Sequence, residues 1–116
     1  MKVALLTNEF PPDIYGGAGI HIQYLSKELR KFCSVEARAF GNQNDTEENL
    51  HALGFSKKLA LSPADSRFSK ILKPLDINLQ WAASLNDIDI LHCHTWYSHF
   101  GGVLASKLLQ KPLILT

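Results

Sequence analysis

Lys2-Val-Ala-Leu-Leu-Thr7, running directly into Asn8-Glu-Phe-Pro-Pro-Asp-Ile-Tyr-Gly-Gly-Ala-Gly19, decides the fold. The first six residues form an apolar run without alternation, the pattern of a strand covered on both faces. The run stops in a loop punctuated by Pro11, Pro12, Gly16, Gly17 and Gly19. From Ala18 the period changes: Ala18, Ile22, Leu25, Leu29 and Phe32 recur at three- and four-residue steps, with Lys27, Glu28, Arg30 and Lys31 on other faces. That is an amphipathic helix whose last turn is basic, as the helix dipole favours. Ser34-Val-Glu-Ala-Arg-Ala-Phe40 alternates weakly and reads as a second strand, closed by Gly41-Asn42. The first forty residues therefore predict a βαβ unit, for which a right-handed crossover is the rule.

The last third repeats the pattern. Asp89-Ile-Leu-His-Cys-His94 reads as a strand and Ser98 to Gln110 as a helix with Val103, Leu104, Leu108 and Leu109 on its apolar stripe. Gly101-Gly102 permits close approach near the start of that helix, Lys111-Pro112 ends it, and Leu113-Ile-Leu-Thr116 begins another buried strand. In the middle, Asp45 to Leu53 reads as a short helix with an acidic first turn, ended by Gly54. Leu59-Ala-Leu61 reads as a strand fragment before Ser62-Pro63, and Arg67 to Leu85 as largely helical, kinked or restarted at Pro74. Alternating strands and helices predict an α/β fold, a Rossmann-like doubly wound parallel sheet. A chain that stops inside a buried strand leaves a sheet edge open. These residues are therefore expected to be the amino-terminal part of a larger protein.

Composition narrows the partners. The 116 residues are 46% hydrophobic and 20% charged, ordinary for one soluble domain, and the net charge of +1 gives no basic footprint for nucleic acid or anionic lipid. The longest uninterrupted apolar run is Val3 to Leu6, so no membrane span is expected, and Met1-Lys2 leads into nothing resembling a secretory signal. Cys33 and Cys93, far apart in sequence, fit reduced cytosolic thiols better than a disulfide framework. A cytoplasmic protein is expected.

Two stretches could carry chemistry. Tyr15-Gly-Gly-Ala-Gly-Ile-His21 lies between the first strand and the first helix, at the carboxyl edge where open α/β sheets bind ligands. Its glycines let a ligand approach the backbone, and the helix start offers unpaired N–H groups to a phosphate or diphosphate. The competing reading is a turn that needs glycine only for positive φ angles. Gly16-Gly17-Ala18-Gly19 matches neither the G-x-G-x-x-G dinucleotide fingerprint nor a P-loop, so no nicotinamide cofactor is expected.

The second stretch is His92-Cys-His-Thr-Trp-Tyr97. Strand alternation puts His92 and His94 on one face and Cys93 on the other, which argues against a metal held by all three. His92 and His94 with His99 lack acidic partners and ligand-type spacing, so no metal is assigned. His92 is as readily a hydrogen-bonded core histidine. His94, Trp96 and Tyr97 suit a sugar, with imidazole for hydroxyls and rings for pyranose faces, although Trp96 is equally a packing residue over the next helix. Glu9 and Asp13 are possible acids, bases or hydroxyl ligands without a readable carboxylate pair. His21 is a cleft candidate. Lys57-Lys58 and Arg67, Lys70 and Lys73 read as solvated faces, and Cys93 has no redox motif.

The stretches Lys2 to His21 and Asp89 to Tyr97 resemble two signatures of bacterial glycogen synthases of the shorter, actinobacterial-type branch, retaining glycosyltransferases with two Rossmann-like domains. The resemblance implies the amino-terminal domain, with the second, nucleotide-sugar-binding domain absent. It places Gly16, Gly17 and Gly19 against the donor's diphosphate, His94 beside the donor glucose as the catalytic histidine, and Trp96 and Tyr97 on the acceptor side. His21 is a weaker contact. The implied donor is ADP-glucose or UDP-glucose, and the implied acceptor an α-glucan, or glucose 1-phosphate if maltose 1-phosphate is the product. The larger bacterial synthases carry a lysine in the glycine loop, and this sequence does not. A carboxylate motif, E-x₇-E, and a basic pair for the leaving diphosphate belong to the second domain, so these residues alone are expected to be inactive. The reading from another class is a non-catalytic sugar- or phosphate-binding module.

Overall fold

The computed structural model of the chain describes residues 1–58 and 66–116; the expected strand fragment at 59–61 lies outside them. The described residues form six strands and three α-helices: β1 (Lys2–Thr7), α1 (Gly17–Leu29), β2 (Ser34–Phe40), β3 (Asn44–Glu47), β4 (Leu50–Phe55), α2 (Ser69–Ser84), β5 (Ile90–His94), α3 (Trp96–Leu109) and β6 (Leu113–Leu115). The strands form one sheet in the order β3-β4-β2-β1-β5-β6. All neighbours are parallel except the β3–β4 pair. The α/β, Rossmann-like reading therefore holds.

The unbroken apolar run of β1 follows from covering both faces of the sheet. Val3 and Leu5 pack with Val35, Ala37 and Ile22 on the α1 side, whereas Ala4 and Leu6 pack with Leu91, Cys93, Ile77 and Trp81 on the α2–α3 side. Trp81 is the largest fully buried side chain, with the Phe40 and Phe55 rings 5.6 and 6.3 Å from its own. The helix α3 lies close on the sheet because Gly102 has no side chain: a Cβ there would stand 2.1 Å from the Cys93 sulfur. Asn78 of α2 fastens α3 from the other side. Its carboxamide accepts from the Gly101 N–H at 2.6 Å and donates to the carbonyls of Tyr97 and Pro74 at 2.6 and 2.7 Å.

Two expectations change. Residues 45–53 are not a helix but most of an antiparallel hairpin, with Glu47 paired to Leu50 across Glu48-Asn49. Asn49 takes φ 59°, which asparagine tolerates, and its side chain and carbonyl bond to Arg30 O and Val35 N. Pairing of β4 with β2 thus overrides the helical propensity of this acidic segment. The acidic residues then lie exposed along the outer strand, where charge discourages pairing with another chain. Of the two expectations at Pro74, a restart does not occur, since α2 runs through it as one element.

Candidate functional site

Strand β1 lies between β2 and β5, and the chain leaves β1 toward α1 on one face and β5 toward α3 on the other. Such divergence is where sheets of this kind usually bind ligands, beyond the strand ends. Tyr15 of the first candidate stretch and Tyr97 of the second line one cavity there.

The glycine turn is built differently from a turn that needs glycine for its backbone. Gly41 is the one glycine with positive φ, while Gly16 is extended at φ −165°. A Cβ added at Gly16 or Gly17 would meet nothing within 4 Å, so neither backbone angle nor packing demands glycine there. Gly19 is a packing glycine, because its Cβ would stand 2.4 Å from the Glu9 carboxylate and 2.9 Å from Ile14. Gly16 forms the N-cap of α1, with no side-chain cap. The first amides of the helix therefore receive no capping side chain from Gly16. Glu9 steadies the turn by accepting from the Gly16 N–H at 3.3 Å.

A cluster of imidazoles stands beside this turn. The rings of His92 and His94 are 4.1 Å apart, and those of His21 and His94 5.6 Å, so α1 and the end of β5 meet there. His94 lies deeper than a crevice position suggests, with 2% of its surface exposed and its Nε2 without a hydrogen-bond partner among the described residues. Its neighbours in the cluster are imidazoles rather than hydrocarbon. His92 is half-buried and bonded to the Thr116 hydroxyl at 2.9 Å, while His99 meets the Thr116 carbonyl at 3.2 Å. Among the described residues no three His, Cys, Asp or Glu side chains form a metal-holding group. Burial pushes the Cys93 thiol up to about 12, leaving it unreactive on the opposite face.

Burial lowers the His94 pKa from the ordinary 6.5 to about 4, and the positive charge of His92, His21 and His99 adds to the effect. His92 shifts the same way, first from burial and then from His21. The unfolded chain therefore takes up protons near pH 6 that the folded chain refuses. Stability is expected to fall as pH drops from about 6.5 to about 4, by on the order of 3 kcal/mol for His94 at full development. Urea midpoints measured across that range should show this slope, and His94→Gln should flatten it. An equal slope in the variant would assign the acid sensitivity to other groups.

Trp96 and Tyr97 sit on the other wing of the crevice. Their rings stack at 4.1 Å, and Tyr97 meets Phe40 edge-on at 6.2 Å, on the α2 side of the sheet. Trp96 is 60% exposed beside Ile71, Leu75 and Phe100, so it does not share a surface with His94. Between the wings stands Thr95, whose φ of 68° and ψ of 160° lie where residues other than glycine are strained. Its hydroxyl donates to Asn8 Oδ1 at 3.1 Å, tying the end of β5 to the loop after β1. Neither the strain nor the partnership with Asn8 leaves a mark in the sequence, since both arise from chain crossings distant in number. Gln43 was likewise not singled out; it is buried and donates to Phe10 O at 2.9 Å, bracing the same loop.

The fold and this rim define a Rossmann-like domain whose bare helix start and switch-point histidines suit an anionic, hydroxylated ligand. The chain belongs to glycosyltransferase family 4, whose sequence pattern, "Glycosyltransferase Family 4", matches residues 15–116. It is 34% identical over 116 residues to the alpha-maltose-1-phosphate synthase of Mycolicibacterium smegmatis and to that of Mycobacterium tuberculosis, covering 100% of this chain and 28% of each relative. An uncharacterized glycosyltransferase of Methanocaldococcus jannaschii is 26% identical, covering 98% of the chain and 30% of the relative. The chain thus spans under a third of the length of these relatives. The narrower expectation of a glycogen synthase gives way here to the family. No helix among the described residues is long and apolar enough to cross a membrane.

Proposed function

We propose that these residues are the amino-terminal part of a retaining, two-domain glucosyltransferase that uses ADP-glucose or UDP-glucose in the cytoplasm and transfers glucose to glucose 1-phosphate, forming maltose 1-phosphate. The observation that carries the donor side is the glycine turn: Gly16 and Gly17 are required neither by φ nor by packing, yet stand bare at an uncapped helix start. Room kept open beside unpaired amides is what a diphosphate needs. The acceptor follows the two synthases named above, similar over the whole chain. The two-signature resemblance favours a second reading, an α-glucan acceptor as in a glycogen synthase. The free thiols of Cys33 and Cys93 support the location.

Charge development gives the residues their roles. Breaking the bond between glucose and diphosphate leaves an oxocarbenium-like sugar and an anionic leaving group. The amides at Gly17 and Gly19 stabilise that anion, while the Gly16 N–H is held by Glu9, and a donor of this kind contributes about 3 kcal/mol. His94, neutral at physiological pH, bonds a hydroxyl of the donor sugar through Nε2, with His21 packed against it. Trp96 and Tyr97 offer ring faces to the acceptor. The acceptor hydroxyl forms the new glycosidic bond and passes its proton to the departing diphosphate oxygen.

The full-length protein, incubated with ADP-glucose or UDP-glucose and either glucose 1-phosphate or glycogen, should extend glucose 1-phosphate. Gly17→Ala should reduce kcat/KM about tenfold or more while leaving the melting temperature unchanged or raised. Extension of glycogen alone selects the second reading. Binding of both sugars without transfer makes the protein a non-catalytic module, and full activity of Gly17→Ala moves the diphosphate away from the turn.

A further inference from the structure

A second cleft opens on the α2 wing of the same rim, about 660 Å³ in volume and bordered by Asn8, Asp13, Asn42, Lys70, Lys73 and Tyr97. That volume lies within the range of small-molecule sites. One wall is the beginning of α2, where Lys70 and Lys73 stand one turn apart. The Lys73 ammonium lies 5.8 Å from the centre of the Phe40 ring, over the cleft floor. The sequence presents these lysines as solvated charge, but they share a concave surface. Among the described residues neither has an ion-pair partner. The first turn of α2 carries no acidic residue, so the positive end of the helix dipole adds to two lysine charges instead of being offset. The opposite wall is amide, carboxylate and phenol, the groups that meet sugar hydroxyls. Asn8 borders this cleft and also accepts from Thr95, the residue after His94, so the cleft joins the imidazole site through one shared bond.

We propose that this cleft is the acceptor subsite and that Lys70 and Lys73 hold the phosphate of a sugar monophosphate, with Asn8, Asp13, Asn42 and Tyr97 around its hydroxyls. The inference rests on the transferase reading above and extends it to the residues that select an anionic acceptor. A neutral glucan end makes no use of two ammonium groups that have no ion pair among the described residues. A phosphorylated hexose uses both, and the stacked Trp96–Tyr97 pair lies at the mouth of the same wing.

The test uses the full-length protein with ADP-glucose or UDP-glucose, whichever it accepts, and glucose 1-phosphate as acceptor, followed by product formation and by calorimetric titration of glucose 1-phosphate. The Lys70→Gln/Lys73→Gln variant should raise the KM for glucose 1-phosphate and weaken its binding at least tenfold, with nucleotide-sugar affinity retained. Lys70→Arg/Lys73→Arg should restore most of the binding, which a merely structural role of the lysine stems would not predict. Unaltered KM and affinity in the glutamine variant overturn the subsite while leaving the transferase reading intact. Failure of the wild-type protein to bind or extend glucose 1-phosphate overturns the subsite together with the maltose 1-phosphate reading, and extension of glycogen then leaves the α-glucan reading standing. Equal loss in the glutamine and arginine variants with retained folding overturns the charge role of the lysines.

Discussion

Replacing His94 with alanine is expected to reduce turnover of the full-length transferase by about two orders of magnitude, with circular dichroism and melting temperature close to wild type. A buried Nε2 without a partner among the described residues gives the fold nothing and costs desolvation. On the proposed reading its partner is a hydroxyl of the donor sugar. Burial, with the nearby His92, His21 and His99 adding to it, keeps His94 neutral at working pH. His94→Gln keeps a polar group of similar reach and should retain more activity than alanine. Single-turnover and steady-state rates of both variants check the assignment. Near-normal turnover of the alanine variant would place the chemistry on other residues.

The second large effect falls on packing. Gly102→Ala puts a methyl group where the Cys93 sulfur stands 2.1 Å away, with Leu113 at 3.1 Å. The leucine can turn aside, but the sulfur sits on β5, held between β1 and β6. Either α3 lifts from the sheet or the strand shifts, at a cost of about 3 kcal/mol. For a domain of this size that lowers the melting temperature by roughly 15 °C. Cys93→Ala removes the obstructing atom, so the double variant should recover much of the loss. A coupling of about 1–3 kcal/mol between the two substitutions is the expected signature. A Gly102→Ala protein that melts with wild type would show that the close contact is not a constraint.

Legibility in the sequence followed how local the deciding physics was. Residues 2–40 were readable because burial on both faces leaves a continuous apolar strand, and α1 carries its own three–four period. The Gly101-Gly102 step was readable as close approach, and the structure supplies the atom being approached. The 44–55 hairpin was not, because its acidic residues imitate a helix start and its pairing partner, β2, is separated in sequence. At the site, alternation along β5 correctly put His92 and His94 on one face. It could not reveal that Trp96 and Tyr97 turn to the opposite wing, which depends on the positive φ of Thr95. Nor could composition distinguish lysines on an open surface from lysines in a concavity, since that difference is made by Asn8, Asn42 and Tyr97 arriving from elsewhere.

The unusual backbone at Thr95 has an evolutionary corollary. One peptide unit hands the chain from strand to helix while pointing its two flanks in divergent directions, and its hydroxyl anchors that pivot to Asn8. Mutations on the α2 flank can remodel one compartment without disturbing the imidazoles across the pivot. On the proposed reading, descendants of such a frame are free to exchange the acceptor while inheriting the donor side unchanged.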